Sequence, residues 1–157
     1  MKKPKLKSFL ISVAIPLLVG GASALLSGSF SDSYQTLKKP PLNPPPLVFP
    51  VVWSILYVLM GVSSWLVYQA SKSRESFRAA MVPYAVSLIL NGLWTIIFFR
   101  FGLYWVGAFW VLAMIIAILS MIKAFEPVSI KAAALQIPYL IWCCFAAYLS
   151  FGIAALN

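Results

Sequence analysis

Charged residues divide this chain into five long uncharged stretches. No Asp, Glu, Lys or Arg occurs at positions 8–31, 40–71, 79–99, 101–122 or 132–157. A helix needs roughly 20 apolar residues to cross a hydrocarbon layer of about 30 Å, and every stretch is long enough. Backbone polar groups in lipid must be paired within their own segment, so each stretch is predicted to be a helix.

The pattern therefore predicts an all-α fold, an integral membrane bundle of five transmembrane helices that forms a single domain over residues 1–157. Short connections indicate that consecutive helices pack antiparallel. The first segment also resembles a signal peptide, but its apolar run, 9–26, is longer than the usual 7–15 residues, which favours a retained helix. The predicted helices cover about 8–27, 49–70, 79–99, 103–124 and 130–155.

The first loop, at 28–48, differs from the other connections in length and composition. It holds five prolines in the seven positions from Pro40 to Pro46. Proline fixes φ and removes backbone donors, so this segment is predicted to be extended and stiff. It is interpreted either as a linker or as a rigid lid over one mouth of the bundle, and its length favours the lid.

Composition and charge agree with a membrane protein. Hydrophobic residues make up 62% of the chain and charged residues 10%, whereas a soluble domain is about half apolar and a quarter charged. The net charge of +9 comes from Lys and Arg at helix ends, which argues against nucleic acid as a partner. The N-terminus, with Lys2 and Lys3, and the second and fourth loops hold most of these cations. The N-terminus is therefore predicted inside and the C-terminus outside.

Several kinds of chemistry lack their residues. The chain has no histidine, and its three acids, Asp32, Glu75 and Glu126, fall in predicted loops. General acid–base catalysis, metal hydrolysis and a protein-bound metal are therefore not expected, and a proton-driven exporter lacks its membrane carboxylate. Cys143 and Cys144 are neighbours on one helix and are predicted to be inert thiols.

Aromatic residues are the remaining candidates, at 15% of the chain with six Trp. An interfacial belt explains some of them. Asn91, near the centre of the third helix, should face a partner or a cavity. An aromatic-lined cavity suits a flat hydrophobic ligand, although the same pattern also fits plain core packing.

Small residues spaced by four, Gly20, Ala24 and Gly28, indicate close helix contacts. On each of three predicted helices, one set of residues shares a face. These sets are Trp53, Tyr57, Gly61 and Ser64 on the second helix, Pro83, Ser87, Asn91, Trp94 and Phe98 on the third, and Pro138, Trp142, Phe145 and Ala146 on the fifth.

Three ordered motifs resemble the TspO/MBR family, which comprises the bacterial tryptophan-rich sensory proteins and the mitochondrial translocator protein, formerly the peripheral benzodiazepine receptor. The first motif runs from Lys39 through the prolines to Gly61, and the second begins Leu-Asn-Gly-Leu-Trp at 90–94. The third runs from Pro138 through Trp142-Cys-Cys-Phe-Ala146, and Asn157 closes the chain. The resemblance covers nearly the whole sequence.

This resemblance implies a five-helix bundle, often dimeric, that binds porphyrins such as protoporphyrin IX and benzodiazepine-site ligands in a cavity closed by the first loop. In some bacterial members, the two Trp that correspond to Trp53 and Trp142 are tied to light-dependent porphyrin breakdown. The expected ligand-binding residues are Tyr34, Pro44, Pro45, Trp53, Tyr57, Asn91, Trp94, Trp142 and Ala146, of which Tyr57 comes from the helix pattern.

Two departures from the family pattern alter these expectations. Leu42 stands where the loop motif usually has Trp, which weakens stacking on the lid. Phe151 and Ala155 stand where the cholesterol-associated motif needs Tyr and a cation. Such motifs are weak evidence even when they are intact, so cholesterol is a doubtful ligand.

The leading hypothesis is a porphyrin- or tetrapyrrole-binding membrane protein that acts as sensor, carrier or stress regulator, with no required cofactor. Lys38, Lys39 and Arg100 either receive the porphyrin propionates as a rim or simply snorkel to lipid headgroups. The alternative is an enzyme that degrades porphyrin in light through Trp53 and Trp142, and a third hypothesis is a structural protein whose aromatics only pack. The expected partners are the bilayer, a porphyrin and a second copy of the chain, in a bacterial cell membrane.

Overall fold

The computed structural model describes residues 5–157, so Lys2 and Lys3 of the predicted basic N-terminus lie outside the described residues. Helices occupy most of this range, and no strand occurs within it. The helices are α1 (Leu6–Ser27), α2 (Phe30–Thr36), α3 (Val48–Ala70), α4 (Arg74–Thr95), α5 (Tyr104–Phe125), α6 (Ile130–Ala134) and α7 (Ile137–Leu156). A π-helical turn, Ile96–Arg100, continues α4.

Five segments are long and apolar enough to cross a membrane, which confirms the predicted all-α five-helix membrane bundle. In the packed bundle, α1 contacts α3 and α4, while α5 contacts α4 and α7. The core contains long apolar side chains that are almost fully buried, among them Met60, Met114, Ile118, Met121 and Phe125. The five segments are Leu6–Ser27, Val48–Ala70, Arg74–Arg100, Tyr104–Phe125 and Ile130–Leu156.

The predicted third helix, at 79–99, begins too late. In the structure, α4 starts at Arg74, because the Ser73 hydroxyl accepts a hydrogen bond from the Ser76 N–H at 3.1 Å and caps the helix. A serine before the first helical residue is a normal N-cap. The prediction placed the boundary after the last cation and ignored this cap.

The predicted fifth helix, at 130–155, is interrupted. Residues 135–136 separate α6 from α7, and Pro138 lies in the first turn of α7. Proline has no N–H to bond the carbonyl four residues earlier, and its ring clashes with that carbonyl, so the helix restarts. The Leu140 N–H then bonds the Gln136 carbonyl at 3.1 Å. By contrast, Pro16 and Pro83 remain inside helices.

The first loop contains a helix that was not predicted, since α2 occupies Phe30–Thr36. The proline-rich segment that follows, 38–46, lies against α7. The Asn157 side chain bonds both the N–H and the carbonyl of Lys38, at 3.1 and 2.7 Å, and the Tyr148 hydroxyl donates to the Pro41 carbonyl at 2.6 Å. Pro40 packs on Gly152 where a Cβ would not fit. Tyr148 on α7 and Asn157 at its C-cap therefore hold this segment in place.

Candidate functional site: an aromatic cavity between α1, α3 and α4

A cavity of about 430 Å³ lies between α1, α3 and the α4–π segment, in the half of the bundle that carries the proline-rich segment. Its wall carries no charged side chain. Ligand pockets commonly have this apolar character and this range of volume. The lining residues are Leu17, Gly20, Gly21, Ser23, Ala24, Ser27, Phe30, Phe49, Pro50, Trp53, Ser54, Tyr57, Asn91, Trp94, Thr95 and Phe99.

Aromatic rings close the cavity toward the proline-rich end. The Phe30 ring of α2 packs edge to face on Phe49 and Phe99, with ring centroids 5.1 and 4.8 Å apart. Phe99 belongs to the π-helical turn, where the Phe101 N–H bonds the Ile96 carbonyl five residues earlier. Such turns often occur at functional sites because they redirect side chains. Here Phe98 is buried in the core while Phe99 faces the cavity.

A hydrogen-bonded chain forms the opposite end of the cavity. The Tyr57 hydroxyl donates to Asn91 Oδ1 at 2.7 Å, and Asn91 Nδ2 donates to the Tyr139 hydroxyl oxygen at 3.0 Å. Asn91 is 3% exposed, so its amide would be costly to bury without these partners. Tyr57 and Asn91 line the cavity, and Tyr139 supports them from the core.

Helix α1 supplies a wall of small residues. Gly20 packs directly on the Tyr57 ring, with no room for a Cβ. The Ser23 hydroxyl bonds the Gly92 carbonyl and shares a hydrogen bond with the Thr95 hydroxyl, which ties α1 to α4. This wall was missed as part of the site, although the small-residue spacing at Gly20 and Ala24 was its signal in the sequence.

Trp53 and Trp94 are the two tryptophans of the wall. The Trp53 ring stacks against Tyr57, with centroids 5.7 Å apart, and meets Trp142 edge to face at 6.5 Å. Trp142 itself lies behind Trp53 and also contacts Phe49 at 5.9 Å. The indole N–H groups of Trp94 and Trp142 are buried and find no hydrogen-bond partner within the described part of the chain.

Comparison with known proteins agrees with this architecture. Residues 12–156 match the model of the TspO/MBR family. The chain belongs to this family. It is 34% identical to the tryptophan-rich protein TspO of Chlorobaculum tepidum, covering 94% of both chains. It is 34% identical to the tryptophan-rich sensory protein of Cereibacter sphaeroides, over 96% of this chain and 89% of the relative, and 36% identical to the translocator protein of Ovis aries, over 75% and 70%.

The expected ligand-binding residues separate into two groups in the structure. Trp53, Tyr57, Asn91 and Trp94 line the cavity. The others lie outside its lining. Trp142 lies behind Trp53, and Ala146 is buried in the core at 6% exposure. The structure thus places α1, and not α7, as the third wall beside α3 and α4.

The expected lid residues do not line the cavity. They lie on the outer side of the rings of Phe30, Phe49 and Phe99. The Tyr34 hydroxyl donates to the Pro44 carbonyl at 2.9 Å, which fixes α2 to the proline-rich segment, while Pro45 is exposed. Burial raises the pKa of the Tyr34 hydroxyl above its usual value, and a hydrogen bond with Asn43 partly offsets this. Tyr34 therefore stays protonated and keeps donating at neutral pH.

None of the three expected rim cations lines the cavity. Lys39 Nζ donates to the carbonyls of Tyr34 and Leu37, both at 2.8 Å, and so caps the end of α2. Arg100 donates to the Leu26 carbonyl at 3.1 Å near the end of α1. Cations commonly stabilise helix C-termini in this way. Lys38 is exposed beside Asn157.

Proposed function

We propose that this chain binds a porphyrin or a related tetrapyrrole in the aromatic cavity and acts in the membrane as a sensor, carrier or stress regulator. The observation that carries the proposal is that Trp53, Tyr57 and Trp94 together line a cavity whose wall is uncharged. A flat macrocycle can stack on such rings, and each stacked pair contributes about 0.5–1.5 kcal/mol beyond burial. Flat synthetic ligands of the benzodiazepine-site type suit the same cavity.

The names of two relatives support this class of function. One relative is named a sensory protein, and another is named a translocator, which describes a carrier. A protein that senses or carries a small molecule needs a site that recognises it. The cavity described above is the feature of this chain that fits such recognition.

Arg100 is the rim cation best placed to receive one propionate. Its neighbour Phe99 lines the cavity, and so does Ser27, which follows the Leu26 carbonyl that Arg100 bonds. That contact uses one of the five guanidinium donors, so others remain for a carboxylate. The Lys39 ammonium group, by contrast, already donates hydrogen bonds to backbone carbonyls.

Fluorescence titration with protoporphyrin IX tests the proposal. The protein in detergent should show saturable quenching of its tryptophans. Trp53→Phe should raise the Kd about two- to tenfold, because one stacking surface is reduced. Trp105→Phe is the matched control, since Trp105 is 54% exposed and packs on Phe151 away from the cavity. Equal affinity in both variants would refute the site.

A second candidate function is the light-driven oxidation of the bound porphyrin by molecular oxygen, which is reduced as the ring opens to a bilin-like product. The contact between Trp53 and Trp142 favours it, because Trp142 can pass an electron to Trp53 at the cavity wall. Illumination with oxygen should then produce a new bilin-like absorbance. Trp142→Phe should abolish this product while porphyrin still binds. If the spectrum of the intact protein with porphyrin stays unchanged under light and oxygen, the reaction is rejected.

We also infer that the N-terminus faces the cytoplasm and the C-terminus the outside. Most of the described cations lie at the end of the bundle opposite the proline-rich segment, and such an excess of cations usually stays inside. Reporter fusions at the two termini should report opposite compartments. The same compartment for both would contradict the inference. The cations at the inner end are Lys5, Lys7, Lys72, Arg74, Arg78, Lys123 and Lys131.

A further inference from the structure

We propose that the cavity is filled from the hydrocarbon layer of the bilayer, through a lateral opening between α1 and α3. We call this opening the portal. The proposal depends on the proposed function only for the identity of the ligand. The rim of the portal consists of Leu17, Gly21 and Ala24 on α1 and Pro50 and Ser54 on α3.

The rim residues have two properties together. All five line the cavity, and all five are also exposed on the surface of the bundle. Residues that face the cavity and the outside at once mark the place where the two connect. Among the α1 members, Gly21 and Ala24 are too short to fill the gap toward α3.

The packing of α1 explains why the portal lies at this height. In the inner half of the bundle, Gly61 lets the backbone of α1 at Val13 approach α3 with no room for a Cβ. Gly20 then packs on the Tyr57 ring. Closer to the proline-rich end, the hydrogen bonds of Ser23 hold α1 against α4 instead. Helix α1 therefore changes partners along its length, and a wedge opens between it and α3.

The portal faces lipid and not water. Helix α1 ends at Ser27, so Ala24 and Leu17 lie about 5 and 15 Å from that end at 1.5 Å per residue. This depth falls within a hydrocarbon layer of about 30 Å. Helix α3 contains no charged residue, and the only cation of α1 is Lys7 in its first turn.

The aqueous side of the cavity is covered by the ring cluster of Phe30, Phe49 and Phe99. The portal therefore selects one class of ligand, molecules that first dissolve in the bilayer and present an apolar body to the gap. A polar group on such a ligand can remain near Ser27 and Arg100, at the membrane interface.

A lipid-quenching experiment tests the portal without any porphyrin. The protein is placed in phosphatidylcholine vesicles whose acyl chains carry bromine, which quenches indoles on contact. The difference between the intact protein and Trp53→Phe isolates the signal of Trp53. Gly21→Leu should protect Trp53 by filling the gap, and a Cβ at position 21 meets nothing within 4 Å, so the fold should tolerate it.

Ala22→Leu is the matched control, because Ala22 is exposed beside Gly21 but does not line the cavity. Trp53 should be quenched in the intact protein and in Ala22→Leu, and protected in Gly21→Leu. The proposal is overturned if Trp53 escapes quenching in the intact protein, or if both variants are quenched alike.

Binding kinetics provide the second test, with protoporphyrin IX dissolved beforehand in unbrominated vesicles. Gly21→Leu should slow both association and dissociation about tenfold, whereas damage to the cavity would speed dissociation. Normal rates in Gly21→Leu would overturn the portal. If no variant binds porphyrin, the proposed function fails, and the bromine experiment alone decides whether the portal exists.

Discussion

Helices α1 and α5 have the same length, 22 residues, but different relations to the bundle. Eight residues of α5 are buried, and they include Val111, Met114, Ile118 and Met121. Only three residues of α1 are buried, Pro16 and two serines. Helix α5 therefore belongs to the packed core, whereas α1 serves chiefly as one wall of a cavity.

The two helices are also held by different interactions. Helices in lipid gain little from burying apolar surface, so close packing and hydrogen bonds hold them together. Continuous side-chain packing joins α5 to α4 and α7. The contacts that hold α1 include the glycine approach at Gly61, the packing of Gly20 on Tyr57 and the hydrogen bonds of Ser23. Substitutions should consequently affect the two helices unequally.

The largest expected effect is the loss of a core side chain on α5. Ile118→Ala should lower the free energy of unfolding by about 2 kcal/mol, because Ile118 is 0% exposed and the cavity left behind loses its packing contacts. Leu18→Ala on α1 should change it by less than about 0.5 kcal/mol, since Leu18 is 70% exposed. Unfolding in sodium dodecyl sulfate measures both, and equal losses would remove the distinction between the helices.

Crowding the close approach of α1 to α3 should have the next largest effect. Gly61→Ala places a Cβ against the backbone at Val13, so α1 must shift, at a cost of about 1–2 kcal/mol. Gly21→Ala is the control, because its Cβ meets nothing within 4 Å and the helix should keep its stability or gain some. The same unfolding assay applies, and a neutral Gly61→Ala would mean that α1 is not held at this point.

A smaller effect is expected at the polar end of the cavity. Asn91→Leu removes two hydrogen bonds, which in membranes contribute about 0.6 kcal/mol each, so the loss should be about 1 kcal/mol. Tyr139→Phe removes only one of these hydrogen bonds and should lower the free energy of unfolding by about half as much. Unfolding measurements on both variants test this ratio, and a larger loss in Tyr139→Phe would contradict the linear chain from Tyr57 to Tyr139.

The smallest effect concerns the proline-rich segment held by α7. Asn157→Ala removes the paired hydrogen bonds to Lys38 and should cost only about 0.5 kcal/mol, because both groups are exposed. The sharper measurement is amide hydrogen exchange, which should accelerate at Lys38, whose N–H bonds the Asn157 side chain. Ser120→Ala, exposed on α5, is the control, and unchanged exchange at Lys38 in Asn157→Ala would show that other contacts hold the segment.

The spanning segments could be predicted because their signal is local. An uncharged run of 20 residues must be helical in lipid whatever its neighbours are. The elements that the prediction missed depend on signals that only one or a few residues carry, and these are weaker than a long uncharged run. The cap at Ser73 and the break before Pro138 each depend on one residue, and α2 is only seven residues long beside a run of prolines.

The site could be predicted only in part. The family motifs and the helix pattern identified Trp53, Tyr57, Asn91 and Trp94, which do meet at one cavity. They did not reveal that α1 completes the wall, because small residues spaced by four indicate close packing but not its partner. The hydrogen bonds of the cations could not be predicted for a similar reason. Lys39 bonds carbonyls that become available only where α2 ends.

The amino-acid sequence alone determined that this protein is a membrane bundle of five spanning helices and that it belongs to the TspO/MBR family. Charge placement suffices for the first conclusion, since lipid excludes charged side chains and unpaired backbone groups. The tertiary structure decided which aromatic residues share a cavity and which helix closes it. That decision depends on where α1 approaches α3 and where it turns to α4, at Gly61 and Ser23. These contacts join residues far apart in the chain, so no local pattern encodes them.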